Sequence, residues 1–243
     1  MKRKLIPFLF VFAITLIAGC ESANKILGGL SSSSNGVPTN SEVISGLRQA
    51  LELGIGESAQ RLSARDGYFR NNAIKVLFPP EAQRIENTMR DLGMGNMVDN
   101  AIESFNRGAE RAAREAAPIF VSAIRSMTIN DAMGILLGAD NSASNYLKSS
   151  TFSQLESTYM PIIDKSLNEV NATKFWSDII TRYNQIPLVQ KQNPDLTSYV
   201  TERALNGLFY MVEREEAKIR QNVSVRNTDL LRRVFGYADS QRN

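Results

Sequence analysis

The sequence predicts an all-α fold. It is read as one multi-helix domain of about eight to ten helices around a central helix rich in small residues, behind a secretory leader and a flexible tether. Three observations carry the prediction. From Asn40 onward apolar residues recur at helical spacing in nearly every segment. No run alternates with period two over a useful strand length, and no repeat of 20–50 residues points to a solenoid. The expected organisation is a leader over 1–19, a lipidated cysteine and tether over 20–39, and a helical domain over 40–243.

The leader is read from its order of residues. Lys2, Arg3 and Lys4 precede an apolar run from Leu5 to Ala18, and Ile17-Ala18-Gly19-Cys20 closes it. A basic start, an apolar stretch and small residues before the cut form a secretory signal. Cys20 directly after those small residues marks the bacterial lipoprotein variant, with lipid on the thiol. The run of about 14 residues is short of the roughly 20 needed to span a bilayer. Glu21 stands where an aspartate would favour inner-membrane retention. The expected location is therefore the cell envelope, anchored in the outer membrane and facing the periplasm. Residues 21–39, with Gly28-Gly29, Ser31 to Ser34, Gly36 and Pro38, read as a flexible tether with a reach of about 25 Å.

The helices follow in order. Val43, Leu47, Leu51, Ile55, Ala59 and Leu62 make one stripe, with Gly67 closing the region. Ala73 to Phe78 reads as extended or irregular. Pro80 suits the first turn of a helix carrying Ala82, Ile85, Met89 and Leu92, stopped by Gly93. A long pattern from about Asn96 to Met127 mixes Val98, Ile102 and Phe105 with Gly108, Ala109, Ala112, Ala113, Ala116 and Ala117. So many small residues admit a close neighbour, which places this helix at the centre. Pro118 is expected to kink or split it. Thr128 to Asp131 resembles a capping box for a helix ending near Gly138. Further helices are expected over about 141–149, 151–170 with a kink at Pro161, 173–185, 197–220, and 228–235 capped by Thr228. Pro187 and Pro194 punctuate the loop before the 197–220 helix.

Composition excludes several chemistries. The chain has 28 basic and 25 acidic residues, but three of the basic ones lie in the leader. The remainder is formally neutral, which argues against nucleic acid as a partner. Histidine is absent and Cys20 is the single cysteine. Ser-His-Asp and Cys-His catalysis, most zinc enzymes and disulfides are thereby excluded. No cofactor and no metal are expected.

Several strings together resemble one bacterial family. They are Asn106-Arg107-Gly108-Ala109-Glu110-Arg111-Ala112, Met127-Thr-Ile-Asn-Asp131-Ala132, and Ile135-Leu-Leu-Gly138 through Tyr146. Ala204-Leu-Asn-Gly207-Leu-Phe209, then Ile219-Arg220 through Arg226 to Leu230-Leu231 and Val234-Phe235-Gly236, complete the set. The chain looks like the uncharacterised lipoprotein family catalogued as domain of unknown function 4197, over about residues 43–236. The resemblance implies a helical envelope domain with no assigned activity and no catalytic residue to carry over. The family pattern has Asp-Pro where this chain has Asn222 and Val223, so that turn is expected to differ.

Three sets of residues are candidates for function. Asn106, Arg107, Glu110, Arg111, Arg114 and Glu115 form two edges of one helix, read as ion pairs on a solvated face or as a polar network beside the alanine seam. Asp131, Asp140, Tyr146 and Thr151 bring two acids and a phenol into one short region, with helix capping as the simpler role for the acids. Lys218, Arg220, Arg226, Arg232, Arg233 and Arg242 make a basic C-terminal run, suited to internal pairing with Glu213, Glu215 and Glu216 or to anionic head groups. From these, Asn106, Glu110, Asp131, Tyr146, Arg220 and Arg226 are the residues expected to line a polar cleft. Gly54-Ile-Gly56 and Gly93-Met-Gly95 lack the rest of a phosphate loop and read as helix stops or hinges. Phe69, Phe105, Phe120, Phe152, Phe175, Trp176, Phe209 and Phe235 are spaced as core residues.

The functional expectation is a lipid-anchored, non-enzymatic domain for binding or envelope organisation. It meets the membrane through the lipid on Cys20, and its expected ligand class is apolar or lipid. Two alternatives stand beside it. A carboxylate-dependent hydrolase of an envelope polymer predicts two of Glu110, Asp131 and Asp140 converging about 5–9 Å apart. A protein-binding adaptor predicts an exposed apolar patch, although the sequence names no protein partner.

Overall fold

The apolar stripes become the inner faces of nine α-helices among the described residues. The computed structural model describes residues 37–242 apart from 186, 189, 190, 192 and 194. The helices are α1 Asn40–Ser63, α2 Gln83–Asp91, α3 Gly95–Ala112, α4 Ala116–Ser126, α5 Ile129–Leu137, α6 Ser142–Asn168, α7 Ala172–Tyr183, α8 Leu196–Gln221 and α9 Asp229–Arg242. Single 3-10 turns over Pro80–Ala82, Ala113–Glu115 and Val223–Val225 join or extend them. No strand occurs among the described residues. The leader, Cys20 and the tether as far as residue 36 lie outside them.

Four long segments form a ring of neighbours. α1 packs on α8, α8 on α6, α6 on the α3–α4 line, and that line back on α1. Val98, Phe105, Ala109, Ala112, Phe120, Leu147, Leu155, Ile163, Leu205 and Leu208 are fully buried between them. The small residues of α3 act as expected. A Cβ on Gly108 would lie 3.2 Å from Ser166 Cβ and 3.4 Å from Ile163 Cα, so α6 sits directly against α3 there. α2 packs on α3, α7 on α6 and α8, and α9 on α1 and α5.

Several boundaries differ from expectation for physical reasons. The α3–α4 line breaks at Ala113–Glu115, just before Pro118. Proline crowds the carbonyl four residues back, here Arg114, so the distortion falls in the preceding turn. Residues 141–149 and 151–170 are one helix, α6, because Leu147, Thr151, Leu155, Tyr159 and Ile163 continue a single buried stripe. The hydroxyls of Ser149, Ser150 and Thr151 donate back to Tyr146 O, Tyr146 O and Leu147 O, so their polar groups are satisfied locally while the buried stripe holds the helix. α9 runs to Arg242 rather than 235, since Leu231, Val234, Phe235 and Ala238 all stay buried. Gly54 and Gly56 lie inside α1 and stop nothing, whereas Gly93 (φ +80°) does end α2.

Caps fix the helix starts. At α1, Thr39 Oγ1 accepts from Glu42 N at 3.2 Å, and Glu42 accepts from Thr39 N at 2.8 Å. At α5 the expected box is present: Asp131 N donates to Thr128 Oγ1, and Asp131 accepts from Thr128 N at 2.9 Å. Thr228 accepts from Leu231 N and caps α9. No single helix among the described residues is long and apolar enough to cross a membrane.

Candidate functional site

Asn106 and Glu110 sit one turn apart on α3, and both bind the irregular segment that follows α1. Asn106 is fully buried. Its Oδ1 accepts from Val76 N at 2.9 Å, and its Nδ2 donates to Val76 O at 2.9 Å and Ile102 O at 2.7 Å. One amide side chain thus satisfies both backbone groups of a residue in a stretch with no ladder of its own. Glu110, also buried, accepts from Tyr68 N at 3.1 Å and Phe69 N at 3.2 Å through Oε1. Its Oε2 takes Arg107 Nη1 at 2.7 Å. Arg107 also donates to Asp66 at 2.8 Å and Glu103 at 3.1 Å, and its guanidinium lies 5.2 Å from the Phe69 ring. Burial works against the Arg107 charge, but its hydrogen bonds to Glu110, Asp66 and Glu103 raise its pKa overall. The Arg107 hydrogen bond holds Asp66 below the usual carboxylate range.

Between these contacts Tyr68 points into the core, where its hydroxyl donates to Ala204 O on α8 at 2.9 Å. Burial pushes its phenol well above the ordinary value. Gly207 gives the ring room, since a Cβ there would lie 2.9 Å from Tyr68 Cε1.

A second cluster forms where α5 turns into α6. Glu216 on α8 is buried and accepts from Ala143 N at 2.9 Å, Ser144 N at 2.8 Å and Ser144 Oγ at 2.8 Å. These are free donors of the first turn of α6. One turn on, Arg220 donates to Ile135 O at 2.8 Å, which also accepts from Gly138 N, and to Leu136 O at 3.2 Å at the end of α5. Arg220 and Glu216 pair with each other at 2.8 Å. Each charge faces the helix end of opposite polarity. Arg226 is 2% exposed and closes α8 by donating to Ile219 O and Arg220 O, while pairing with Asp239 at 2.6 Å. Arg242 reaches Asp140 at 2.6 Å and the Gly138 carbonyl. At the turn after α8, Asn222 Oδ1 accepts from Ser224 N at 3.0 Å, and Val223 opens the 3-10 turn where the family pattern has proline.

The six residues expected to share one cleft therefore fall apart. Asn106 and Glu110 belong to the first cluster, Arg220 and Arg226 to the second, and the two share no hydrogen-bond partner. Asp131 only caps α5, its backbone bond from Thr128 lowering its pKa, and Tyr146 donates to Ala123 O at 3.3 Å. Asn106, Glu110 and Arg220 reach backbone on other elements, whereas Asp131 stays within its own cap. The basic C-terminal run is paired internally. Lys218 meets Glu57 and Glu215, Arg220 meets Glu216, Arg226 meets Asp239, Arg232 meets Asp229, Arg233 meets Glu42, and Arg242 meets Asp140.

Leu47, Leu51, Ile55, Val212, Ile219 and Phe235 surround a space of about 20 Å³, one water's worth against the roughly 300 Å³ of a ligand pocket. The larger concavities are polar. One of about 290 Å³ is lined by Ser63, Arg65, Arg107, Glu110, Arg111 and Arg114. Another of about 450 Å³ is bordered by Arg61, Asn71, Tyr210, Arg214 and Lys218. Sequence reasoning missed Arg65, because nothing in its local string marks it. It also missed the role of Glu216, although its four-residue spacing from Arg220 was visible. No group of three or more acidic, cysteine or histidine side chains that could hold a metal occurs among the described residues.

A family model described as a protein of unknown function, DUF4197, matches residues 37–236. The chain belongs to this family. The match covers every helix from α1 to α8 and over half of α9, so both clusters lie inside the DUF4197 domain. No curated protein and no solved structure matches the chain.

Proposed function

We propose that this DUF4197 chain is a lipid-anchored domain of the bacterial envelope that binds or organises rather than catalyses. The observation that carries the non-catalytic reading is the commitment of its acids. Glu110 holds two backbone N–H groups and Arg107, Asp131 closes a capping box, and Asp140 pairs with Arg242. Both oxygens of Glu110 are thereby occupied, while Asp131 serves a cap and Asp140 a surface ion pair, roles that need no proton transfer. The absence of histidine removes the commonest alternative.

The anchor rests on Lys2 to Cys20 as a lipoprotein signal, and outer-membrane sorting rests on Glu21. The concavities of the domain's surface, of about 290 and 450 Å³, support a binding role. Intact mass of the protein from its native membrane tests the anchor. The expected species begins at Cys20 and carries a diacylglyceryl group, and a Cys20→Ser variant stays unlipidated. A mature chain beginning elsewhere, or beginning at Cys20 without lipid, would overturn this reading.

A further inference from the structure

We propose that the concavity bounded by Arg65, Arg107, Arg111 and Arg114 binds a phosphate ester. This deepens the binding reading above by naming the ligand class, and rests on that reading but not on the lipid at Cys20. Four guanidinium groups from three elements meet there: Arg65 from the segment after α1, Arg107 and Arg111 from α3, and Arg114 from the 3-10 turn before α4. The space of about 290 Å³ has room for a phosphate with a glycerol or sugar attached.

The acids near the basin are already engaged. Glu110 faces it but is held by two backbone N–H groups and Arg107, Asp66 by Arg70 and Arg107, Glu103 by Arg107, and Glu169 by Arg111. Arg107 spends all three of its nitrogens on these acids and so forms a fixed wall. Arg111 lines the basin and uses only Nη1, toward Ser166 and Glu169, so its Nε and Nη2 make no hydrogen bond among the described residues. Arg65 and Arg114 are exposed and make no side-chain hydrogen bond or ion pair among the described residues. The arrangement is two free guanidinium forks and a third half-free, around a rigid floor. Forks of this kind match the several oxygens of a phosphate better than a single carboxylate.

The test titrates the full chain with glycerol phosphate, and separately with phosphatidylcholine vesicles with and without phosphatidylglycerol, near physiological salt. Wild type, Arg65→Gln with Arg114→Gln, and Arg84→Gln as an exposed control are compared. The double variant is expected to fold with an unchanged circular dichroism spectrum and to lose about tenfold or more in affinity, with Arg84→Gln unaffected. Saturation by glycerol phosphate alone supports a soluble ester, and saturation by the anionic vesicles supports a lipid head group. The inference is overturned by absence of saturable binding to either probe up to about 10 mM phosphate, or by equal losses in Arg84→Gln and the double variant. Either failure leaves the mass of the lipidated N-terminus, and so the anchor, unaffected.

Discussion

Glu216 and Arg220, one turn apart on α8, form a 2.8 Å ion pair wedged between the end of α5 and the start of α6. The glutamate faces the positive end of α6 and the arginine the negative end of α5, so each charge is stabilised by a helix end as well as by its partner. Removing one partner leaves the other buried and unpaired, which costs about 3–5 kcal/mol. Glu216→Ala and Arg220→Ala are each expected to lower the thermal midpoint by roughly 6–20 °C. The double variant should lose less than the sum, as a thermal double-mutant cycle followed by circular dichroism will measure.

Asn106 serves Val76 as donor and acceptor at once. Asn106→Ala strands both backbone groups and should cost about 1–3 kcal/mol per stranded group. Asn106→Asp keeps the acceptor but turns a donor into an oxygen facing the Val76 and Ile102 carbonyls. Urea unfolding should rank it at least as destabilised as the alanine variant.

Two buried tyrosines give opposite expectations. Tyr68 donates to Ala204 O, so Tyr68→Phe should cost about 0.5–1.5 kcal/mol. The Tyr159 hydroxyl is buried with no hydrogen-bond partner, and burial pushes its pKa upward. Tyr159→Phe removes that unsatisfied group and should be neutral or stabilising by up to about 1 kcal/mol. A lower denaturation midpoint for Tyr159→Phe than for wild type would contradict the assignment.

Stability should be level across neutral pH and fall in acid. Histidine, whose ordinary pKa lies in the neutral range, is absent. Glu42 is held below its ordinary 4.5 by the backbone bond from Thr39, and Asp131 below 3.8 by that from Thr128. Asp195 is lowered by the Ser198 hydroxyl and Asp66 by Arg107. Each contributes stability that is fully present above its unfolded value and is lost as pH falls through its lower folded value. Thermal midpoints measured against pH should hold from about 5.5 to 8. Below the ordinary values of 4.5 and 3.8 they should decline, and Asp131→Asn should decline less.

The helices were legible because their stripes are local: Val43 to Leu62 and Thr128 to Asp131 carry spacing or capping that needs no partner elsewhere. The join at Ser149–Thr151 was not, because a serine-rich string resembles a break until Leu147 and Leu155 are known to be buried on one line. The polar site was least legible. Glu110 looks like one member of an i,i+3 surface pair, yet its main partners are backbone groups 41 and 42 residues earlier. Arg65 and Arg114 are brought to one basin only by the path of the chain after α1 and the turn before Pro118.

The corner between α5 and α6 is secured by side chains that come 72 to 85 residues later in the chain. Its own loop, Gly138 to Asn141, adds short-range backbone bonds at each helix end. α5 packs on α1 and α6 on α3, both made earlier, but the hydrogen bonds that close their facing ends come only with α8. An all-α protein usually closes through near neighbours and folds quickly. Here a central joint waits on one of the last segments made, so clipping the C-terminal helices would loosen the middle of the molecule rather than its edge.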